Sequence, residues 1–326
     1  MGFWKGRNVF VTGCAGFLGH WLTKHLLDRQ AVVVGLIRDW VPAAPFFAEG
    51  LVGRITNIRG GLDDLPLLER AINEYEIDTV FHLAAQAIVG AANRSPVETF
   101  ETNIRGTWNL LEACRRSKLV SRVVIASSDK AYGIHEELPY TEAHALKGTH
   151  PYDVSKSCAD LISLAYHQTY GTPVCVTRCG NLFGGGDLNF SRLVPGTVRS
   201  ALQGERPIIR SDGTMIRDYV YVEDIVEGYL LLAEQTGKAG IAGQAFNFAT
   251  GQPLSVLQLT GMILRAAGRE DLQPVILNEA KAEIPRQYLS SQLARTRLGW
   301  APSKGVEDGL SQTIEWYRRY LARTAA

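Results

Sequence analysis

The feature that most constrains this chain is a glycine-spaced turn placed directly after its first apolar run. Asn8 to Val11 reads as a short buried strand, and Thr12-Gly13-Cys14-Ala15-Gly16-Phe17-Leu18-Gly19 then turns into the helical pattern of His20 to Arg29. In such a turn Gly13 permits the tight bend, Gly16 lets the backbone approach a pyrophosphate, and Gly19 lets helix and strand pack closely. Phe17 and Leu18 open the helix, whose N–H groups and partial positive charge suit an anion. A lone turn of this kind is common between a strand and a helix. Its place at the head of an alternating chain is what points to dinucleotide binding.

The alternation is sustained. Ala31–Ile37, Ile55–Arg59, Thr79–Leu83, Arg122–Ser127 and Val174–Arg178 read as further strands. Helical patterns separate them at Leu65–Glu74, at Val97–Arg115 around Asn103 and Trp108, and at Tyr152–Tyr170. Strands separated by helices imply parallel pairing through right-handed crossovers, with ligands bound beyond the carboxyl ends of the strands. The expected fold is therefore α/β, a Rossmann-type doubly wound parallel sheet. After Arg178 the pattern changes to the loop-like Gly180-Asn181-Leu182-Phe183-Gly184-Gly185-Gly186-Asp187, and mixed elements follow. Ala245–Ala249 reads as a strand returning to the sheet and Val306–Leu321 as a closing helix. A smaller C-terminal α/β lobe is thus interleaved with the first domain. Residues 1–182 and 218–250 are assigned to the dinucleotide-binding domain, and 183–217 and 251–326 to a substrate lobe.

Composition excludes several classes of partner. The net charge is +1, with 34 basic and 33 acidic residues interspersed, which argues against a nucleic-acid groove or a membrane-surface patch. No apolar run approaches the ~18–20 residues of a spanning helix, and Met1-Gly2-Phe3-Trp4-Lys5 leads straight into a strand pattern without a signal sequence. The expectation is a cytoplasmic protein. Cys14, Cys114, Cys158, Cys175 and Cys179 form an odd set without a Cys-x-x-Cys pair and read as small buried residues, and the seven histidines lack ligand spacing, so no metal is expected.

The candidate chemistry lies at strand ends. Ser127-Ser128-Asp129-Lys130-Ala131-Tyr132 leaves the fifth strand, and Tyr152-Asp153-Val154-Ser155-Lys156 opens the next helical pattern. A spacing of four places Tyr152 and Lys156 on one helical face. Hydroxyl, carboxylate, amine and phenol together make a proton-transfer set, although Tyr-x-x-x-Lys alone is weak and also describes an ordinary surface helix. Ala84-Ala85-Gln86 follows the fourth strand with the small residues that a close-lying ligand requires. At the end of the second strand Asp39 suits a ribose 2'-hydroxyl, which favours NAD, whereas Arg38 suits a 2'-phosphate and allows NADP.

With Gly13/Gly16/Gly19, Asn103, Ser128, Tyr152/Lys156 and Arg178-x-x-Asn181-x-Phe183-Gly184 in place, the chain resembles the extended short-chain dehydrogenase/reductase family, which acts on nucleotide sugars. The likeness runs nearly the whole length. His82-Leu83-Ala84-Ala85-Gln86, Pro96–Asn103, Ser128–Tyr132 and Gly180–Asp187 look most like the 4,6-dehydratases of that family, in particular the CDP-glucose type. Where related dehydratases usually have Glu this chain has Lys130, and epimerases of the family lack the Asp-Lys or Asp-Glu pair altogether. A family Asp after the third strand is replaced by Gly61, which leaves Asp63 or the Leu62 backbone as substitutes.

The resemblance implies bound NAD, held by Gly13, Gly16, Phe17, Leu18, Gly19, Arg38, Asp39, Leu62, Asp63, Leu83, Ala84, Ala85, Asn103, Tyr152 and Lys156. It implies that Tyr152 accepts the sugar C4 hydroxyl proton. A phenol of pKa about 10 needs the Lys156 cation for this, and Ser128 shares the C4 oxygen. Asp129 is the expected acid at the C6 oxygen. Lys130 is either the base at C5 or a partner for Asp129 or a phosphate. Gln86, Asn181, Arg192, Arg217 and Arg286 are the expected substrate contacts, arginine being suited to phosphate by its planar fork. Family members pair through helices equivalent to 97–115 and 152–170, so a homodimer is expected. A 4-epimerase or decarboxylase of the same family needs only Tyr152, Lys156, Ser128 and cofactor, and a non-catalytic dinucleotide-binding protein needs neither Tyr152 nor Lys156.

Overall fold

Successive side chains of a strand face opposite sides of its sheet. Val9, Val11, Val33, Phe81, Val124 and Cys175 belong to one buried cluster, whereas Phe10, Val34, Val80, Val123, Val174 and Val176 belong to another. Strands apolar on both faces must be covered on both, which is the condition of a parallel sheet between helices. The computed structural model, which describes residues 2–279 and 284–325, has this arrangement. Its main sheet comprises β1 (Asn8–Thr12), β2 (Val32–Ile37), β3 (Thr56–Arg59), β4 (Thr79–His82), β5 (Arg122–Ala126), β6 (Val174–Cys179) and β10 (Ala245–Phe248). The order is β10-β6-β5-β4-β1-β2-β3 and every pairing is parallel. Pairing persists one residue beyond two strand ends, since the Leu83 N–H donates to the Thr12 carbonyl (3.2 Å) and the Ser127 N–H to that of Thr177 (2.9 Å).

Strand order reverses between β1 and β4, and a crevice opens there beyond the carboxyl ends. Gly13, the Leu83–Gln86 segment and the Ser127–Lys130 segment all leave the sheet at this edge. Gly13 has φ of +73°, and a Cβ on it would meet the Ala84 nitrogen at 2.7 Å. A Cβ on Gly19 would collide with the Gly13 carbonyl oxygen. The first helix, Phe17–Asp28, begins at Gly16 with no side-chain cap.

A regular helix expected over Val97–Arg115 is instead three pieces: Pro96–Phe100, a π-helical turn at Glu101–Arg105, and Gly106–Arg116. The extra residue per turn brings Asn103 into the crevice, as π-bulges do at functional positions. The Pro151–Tyr170 helix is continuous, starts with proline in its first turn and stops at Gly171 in the left-handed conformation.

The second lobe is built on a smaller sheet. Its strands are β7 (Asn181–Phe183), β9 (Ile216–Tyr221), β11 (Pro253–Ser255) and β13 (Arg286–Gln287), with β9 at its centre. β8 (Ile208–Ile209) and β12 (Val275–Ile276) form a separate pair. Because β7 runs parallel to Asn181–Phe183's partners Tyr219–Tyr221, the chain stays in this lobe through residue 221 and returns to the main sheet by the Val222–Gln235 helix and β10. Among the described residues no helix is long and apolar enough to cross a membrane.

One buried ion pair ties the sheet to the Pro151–Tyr170 helix. Arg178 on β6 donates to both carboxylate oxygens of Asp160 at 2.7 and 2.9 Å, and to the Tyr132 hydroxyl at 2.8 Å. Asp160 is fully buried and Arg178 nearly so. Such pairs are costly to break from one side, because the remaining charge stays buried. Asp160→Asn is expected to lower unfolding free energy by roughly 3–5 kcal/mol, read as a lower urea midpoint at unchanged slope. A loss below about 1 kcal/mol would show that the pair behaves as an exposed one.

Candidate active site

β5 ends at Ala126, and Ser128, in extended conformation, caps the short turn Asp129–Tyr132. The Ser128 Oγ accepts the Lys130 N–H (3.2 Å) and donates to the Asp129 carboxylate (3.0 Å). The neighbouring helix is fastened to this turn. The Lys156 Nζ donates to the Ala126 carbonyl at 2.8 Å, the Ser157 Oγ to that of Ala131 at 2.9 Å, and the Ser127 Oγ to that of Lys156 at 3.4 Å. Tyr152 and Lys156 share one face, with the amine 5.9 Å from the phenol ring centroid.

Burial sets the electrostatics. It pushes the Tyr152 phenol up to about 12, with Ser128 and Arg192 pulling down and Asp129 and Asp153 pushing up. It pulls Lys156 down to about 8, so this lysine still holds its proton at neutral pH. Asp129 is raised by burial against the opposing pull of Lys130, Ser128 and Arg217. Asp153 is raised for the same reason, against Lys130 and His150. The turn therefore presents a carboxyl group biased toward its neutral form, which is what a proton donor requires.

A hydrogen-bonded chain joins the glycine turn to the Pro151–Tyr170 helix. The Thr12 hydroxyl lies 2.8 Å from Nδ1 of His82, and Nε2 of His82 lies 3.1 Å from the Thr107 hydroxyl. Thr107 donates to the Asn103 carbonyl at 2.6 Å. The Asn103 amide accepts from the Gln86 N–H (2.7 Å) and donates to the Gln86 carbonyl (3.1 Å) and the Ser155 Oγ (2.9 Å). Ser155 in turn donates to the Tyr152 carbonyl at 2.7 Å. Both amide hydrogens of Asn103 go to protein oxygens, so it acts on the site by fixing Gln86 and Ser155.

The crevice fits a dinucleotide. Gly13 and Gly19 let the turn pack against the Ala84 backbone and on itself, which leaves the uncapped first turn of the Phe17–Asp28 helix to receive a pyrophosphate, and Phe17 and Leu18 are partly buried there. Leu83, Ala84 and Ala85 are partly buried beside it, and the Ala84 N–H donates to the Thr12 hydroxyl (3.2 Å). Beyond β2, Arg38 and Asp39 are exposed and paired with each other at 2.7 Å. The Leu62 carbonyl accepts from Asn109 at 2.9 Å, and Asp63 is exposed.

The expected substrate residues divide. Arg217 is buried on β9, donates to the Ile216 carbonyl (2.9 Å) and lies close enough to Asp129 to act on its carboxyl. Arg192 pairs with Asp187 at 2.9 Å. Asn181 is partly buried at the start of β7, the Gln86 side chain accepts from the Ile88 N–H (3.3 Å), and Arg286 is exposed beside Tyr288. Gathered at one place are Ser128, Asp129, Lys130, Tyr152, Lys156 and Arg217.

Residues 9–249 match the NAD dependent epimerase/dehydratase family. The chain belongs to that family. It is 30% identical, over 98% of its own length and 92% of the relative's, to the CDP-glucose 4,6-dehydratase of Salmonella typhimurium. Among solved structures it resembles the UDP-glucose 4-epimerase of Thermotoga maritima, with a TM-score of 0.88, 29% identity and coverage of 96% and 99% of the two chains. It also resembles the dTDP-glucose 4,6-dehydratase of Streptomyces venezuelae solved with NAD bound, with a TM-score of 0.84, 30% identity and coverage of 96% and 97%.

Within this family member, several residues of the site escaped sequence reasoning. Asn109, Asp153, Asp160, Thr12 and Gln287 gave no local signal, and His82 stood out only as the start of the family-like His82–Gln86 stretch. Burial, with a smaller contribution from Lys156, holds the His82 imidazole down to about 3. Its folded pKa thus lies below the unfolded value of about 6.5, so the native state binds fewer protons and loses stability as pH falls from about 6.5 toward 3. At about pH 5 this term is about 2 kcal/mol. His82→Gln is therefore expected to remove that much of the acid sensitivity, measured as the difference between urea unfolding free energies at about pH 7.5 and 5. An unchanged difference would refute a buried neutral His82.

Proposed function

We propose that this chain is an NAD-dependent nucleotide-sugar 4,6-dehydratase, converting an NDP-hexose, with CDP-glucose the first choice, to the NDP-4-keto-6-deoxyhexose. The observation that carries the reading is Asp129, a buried carboxyl with a raised pKa, followed by Lys130 in the turn that brings Ser128 to Tyr152. Exchange of configuration at C4 alone requires no such acid.

NAD would be held by the Gly13–Gly19 turn and by Tyr152 and Lys156, and would supply the redox chemistry as acceptor of the C4 hydride and donor of the hydride to C6. Tyr152 takes the C4 hydroxyl proton while Ser128 bonds that oxygen, and the charge on Lys156 favours the phenolate. The C4 ketone acidifies the C5 hydrogen. Lys130 removes this proton, the C6–O bond breaks, and Asp129 protonates the oxygen so that it leaves as water. Lys130 gives its proton back to C5 as the C5=C6 double bond is reduced at C6, and the proton left on Tyr152 replaces the one Asp129 lost to the departing water. Asn181, Arg192 and Arg217 are assigned to the nucleotide and sugar, and exposed Arg286 to the rim.

A second reading, a 4-epimerase, is favoured by the likeness to the Thermotoga maritima enzyme. Incubation with CDP-glucose, dTDP-glucose and GDP-mannose separates the two. The dehydratase forms a 4-keto sugar that absorbs in the near ultraviolet after alkali, whereas the epimerase yields an isomeric hexose. Absence of the keto sugar with every substrate sinks the dehydratase reading. Tyr152→Phe is expected to lower kcat on the order of 10²–10⁴-fold with NAD still bound.

The homodimer is also a proposal. Val97, Trp108 and Leu161 are exposed at 71%, 42% and 57% on the two helical segments expected to pair, which fits a face covered by a second copy. Trp108→Glu is expected to convert a dimer to a monomer in light scattering coupled to size exclusion. A wild-type monomer at micromolar concentration would exclude the pairing. The five free thiols fit a reducing cytoplasm.

A further inference from the structure

The fully buried Gln287 stands where the second lobe meets the catalytic turn. Its side-chain Oε1 accepts from the Lys130 Nζ, and its Nε2 donates to the Asp129 carbonyl at 3.0 Å. One amide thus grips two consecutive residues of the turn. The two bonds also fix its orientation, because only the oxygen accepts from an amine and only the nitrogen donates to a carbonyl. Gln287 lies in parallel register with Arg217 on β9, so the small sheet presents both side chains together toward Asp129 and Lys130.

The grip is itself anchored. The Tyr140 N–H donates to the Tyr288 carbonyl at 3.0 Å, and the Ser290 N–H to the Tyr140 carbonyl at 2.9 Å. The Asn247 amide donates to the same Tyr140 carbonyl at 3.1 Å. The strand carrying Gln287 is therefore held to the loop after the catalytic turn and to β10 of the main sheet. A flexible lysine side chain gains a defined position only when something fixes its amine, and here a residue 157 positions along the chain does so.

We propose that Gln287 is the positioning residue for the elimination step, setting the Lys130 amine and the Asp129 backbone against C5 and C6 of the sugar. This rests on the dehydratase reading. Lys156 is held to the Ala126 carbonyl within the first domain and Tyr152 shares its helix, so the phenol and the cation that serve the C4 oxidation have an anchor separate from Gln287. The second lobe supplies the clamp for Asp129 and Lys130. The split explains how one crevice serves two proton transfers: each set of groups has its own anchor. A glutamate at this position would keep an acceptor for Lys130 but lose the donor to Asp129, and a methionine would lose both while nearly conserving volume.

The test uses the full chain with NAD and the nucleotide sugar that the wild type dehydrates. Gln287→Met is expected to lower kcat on the order of 10–100-fold, the scale of an ångström-sized misplacement, while KM stays within about threefold. The isotope effect on kcat from C5-deuterated substrate should rise, and that from C4-deuterated substrate should fall, because elimination becomes rate-limiting. A purely structural role would lower both steps or raise KM and would leave the C5 effect unchanged. Gln287→Asn, which keeps both amide functions on a shorter stem, should recover part of the loss and serves as the readout if the methionine variant fails to fold. In a Lys130→Met background the further change to Met at 287 should cost almost nothing, since coupled residues are non-additive. Wild-type dehydration with unaltered kcat and isotope effects in both variants overturns the positioning role and leaves the dehydratase reading intact. Failure of the wild type to dehydrate any nucleotide sugar overturns both.

Discussion

The site depends on a buried lysine amine held at a strand end. Lys156 donates a hydrogen bond to the carbonyl of Ala126, the last residue of β5, and the helix bearing Tyr152 is thereby locked against the carboxyl edge of the sheet. Desolvation makes that amine easier to deprotonate, down to about 8, yet leaves it charged at neutral pH. The same desolvation pushes Tyr152 up to about 12. A phenol so raised is inert as a base until positive charge accumulates beside it, and the lysine one helical turn away is the protein's own contribution to that charge. Water exclusion and proton transfer are therefore one design problem, in which burial raises the phenol and Ser128 and Arg192 pull it back.

The carboxyl side of the turn follows the same physics with the opposite use. Burial raises Asp129 and Asp153, and for a carboxyl group the neutral form is the proton donor. Lys130, Ser128 and Arg217 oppose the shift at Asp129 but act as smaller causes than burial. A turn that left Asp129 in water would keep it ionised and useless as an acid. The Ser128 cap accepts the Lys130 N–H and donates to the Asp129 carboxylate, so one hydroxyl shapes the turn and touches its buried carboxyl group.

What could be read from the sequence follows from the range of the interactions. The strands, the Leu65–Glu74 helix and the glycine turn are written in local apolar periodicity and in the backbone needs of Gly13 and Gly19, and they lie where those patterns put them. The π-helical turn was invisible because its cause is Asn103 reaching Gln86 and Ser155, neither of them a helical neighbour. Arg178 was noticed as part of a motif, but its partner Asp160 lies on another element and carries no mark of its own. The reading stopped one residue short at Ile284-Pro285-Arg286: Arg286 drew notice as a phosphate-binding type, whereas Gln287, uncharged and of no catalytic class, is the side chain that reaches the turn. Strand β9 extending in the second sheet to Tyr221 likewise reflects pairing with β7, which composition does not encode.

The division between oxidation and elimination also bears on how one fold separates related chemistries. Tyr152 and Lys156 stand on the Pro151–Tyr170 helix, fastened to β5 and its end by the Lys156–Ala126 and Ser127–Lys156 bonds, and Ser128 opens the turn that follows β5. Asp129 and Lys130 extend from the same turn but meet a partner from the smaller sheet, where β13 is only a two-residue strand. Changing that partner leaves the core untouched, so the cost of altering the second step is local, whereas altering the first would disturb buried packing and the Lys156–Ala126 bond. An enzyme that only oxidises and reduces C4 can therefore share this entire frame, and the high structural likeness to an epimerase is what such a frame would produce. The discriminating physics lies in whether a buried carboxyl group with a raised pKa and an anchored amine stand at the end of β5, and in this chain both do.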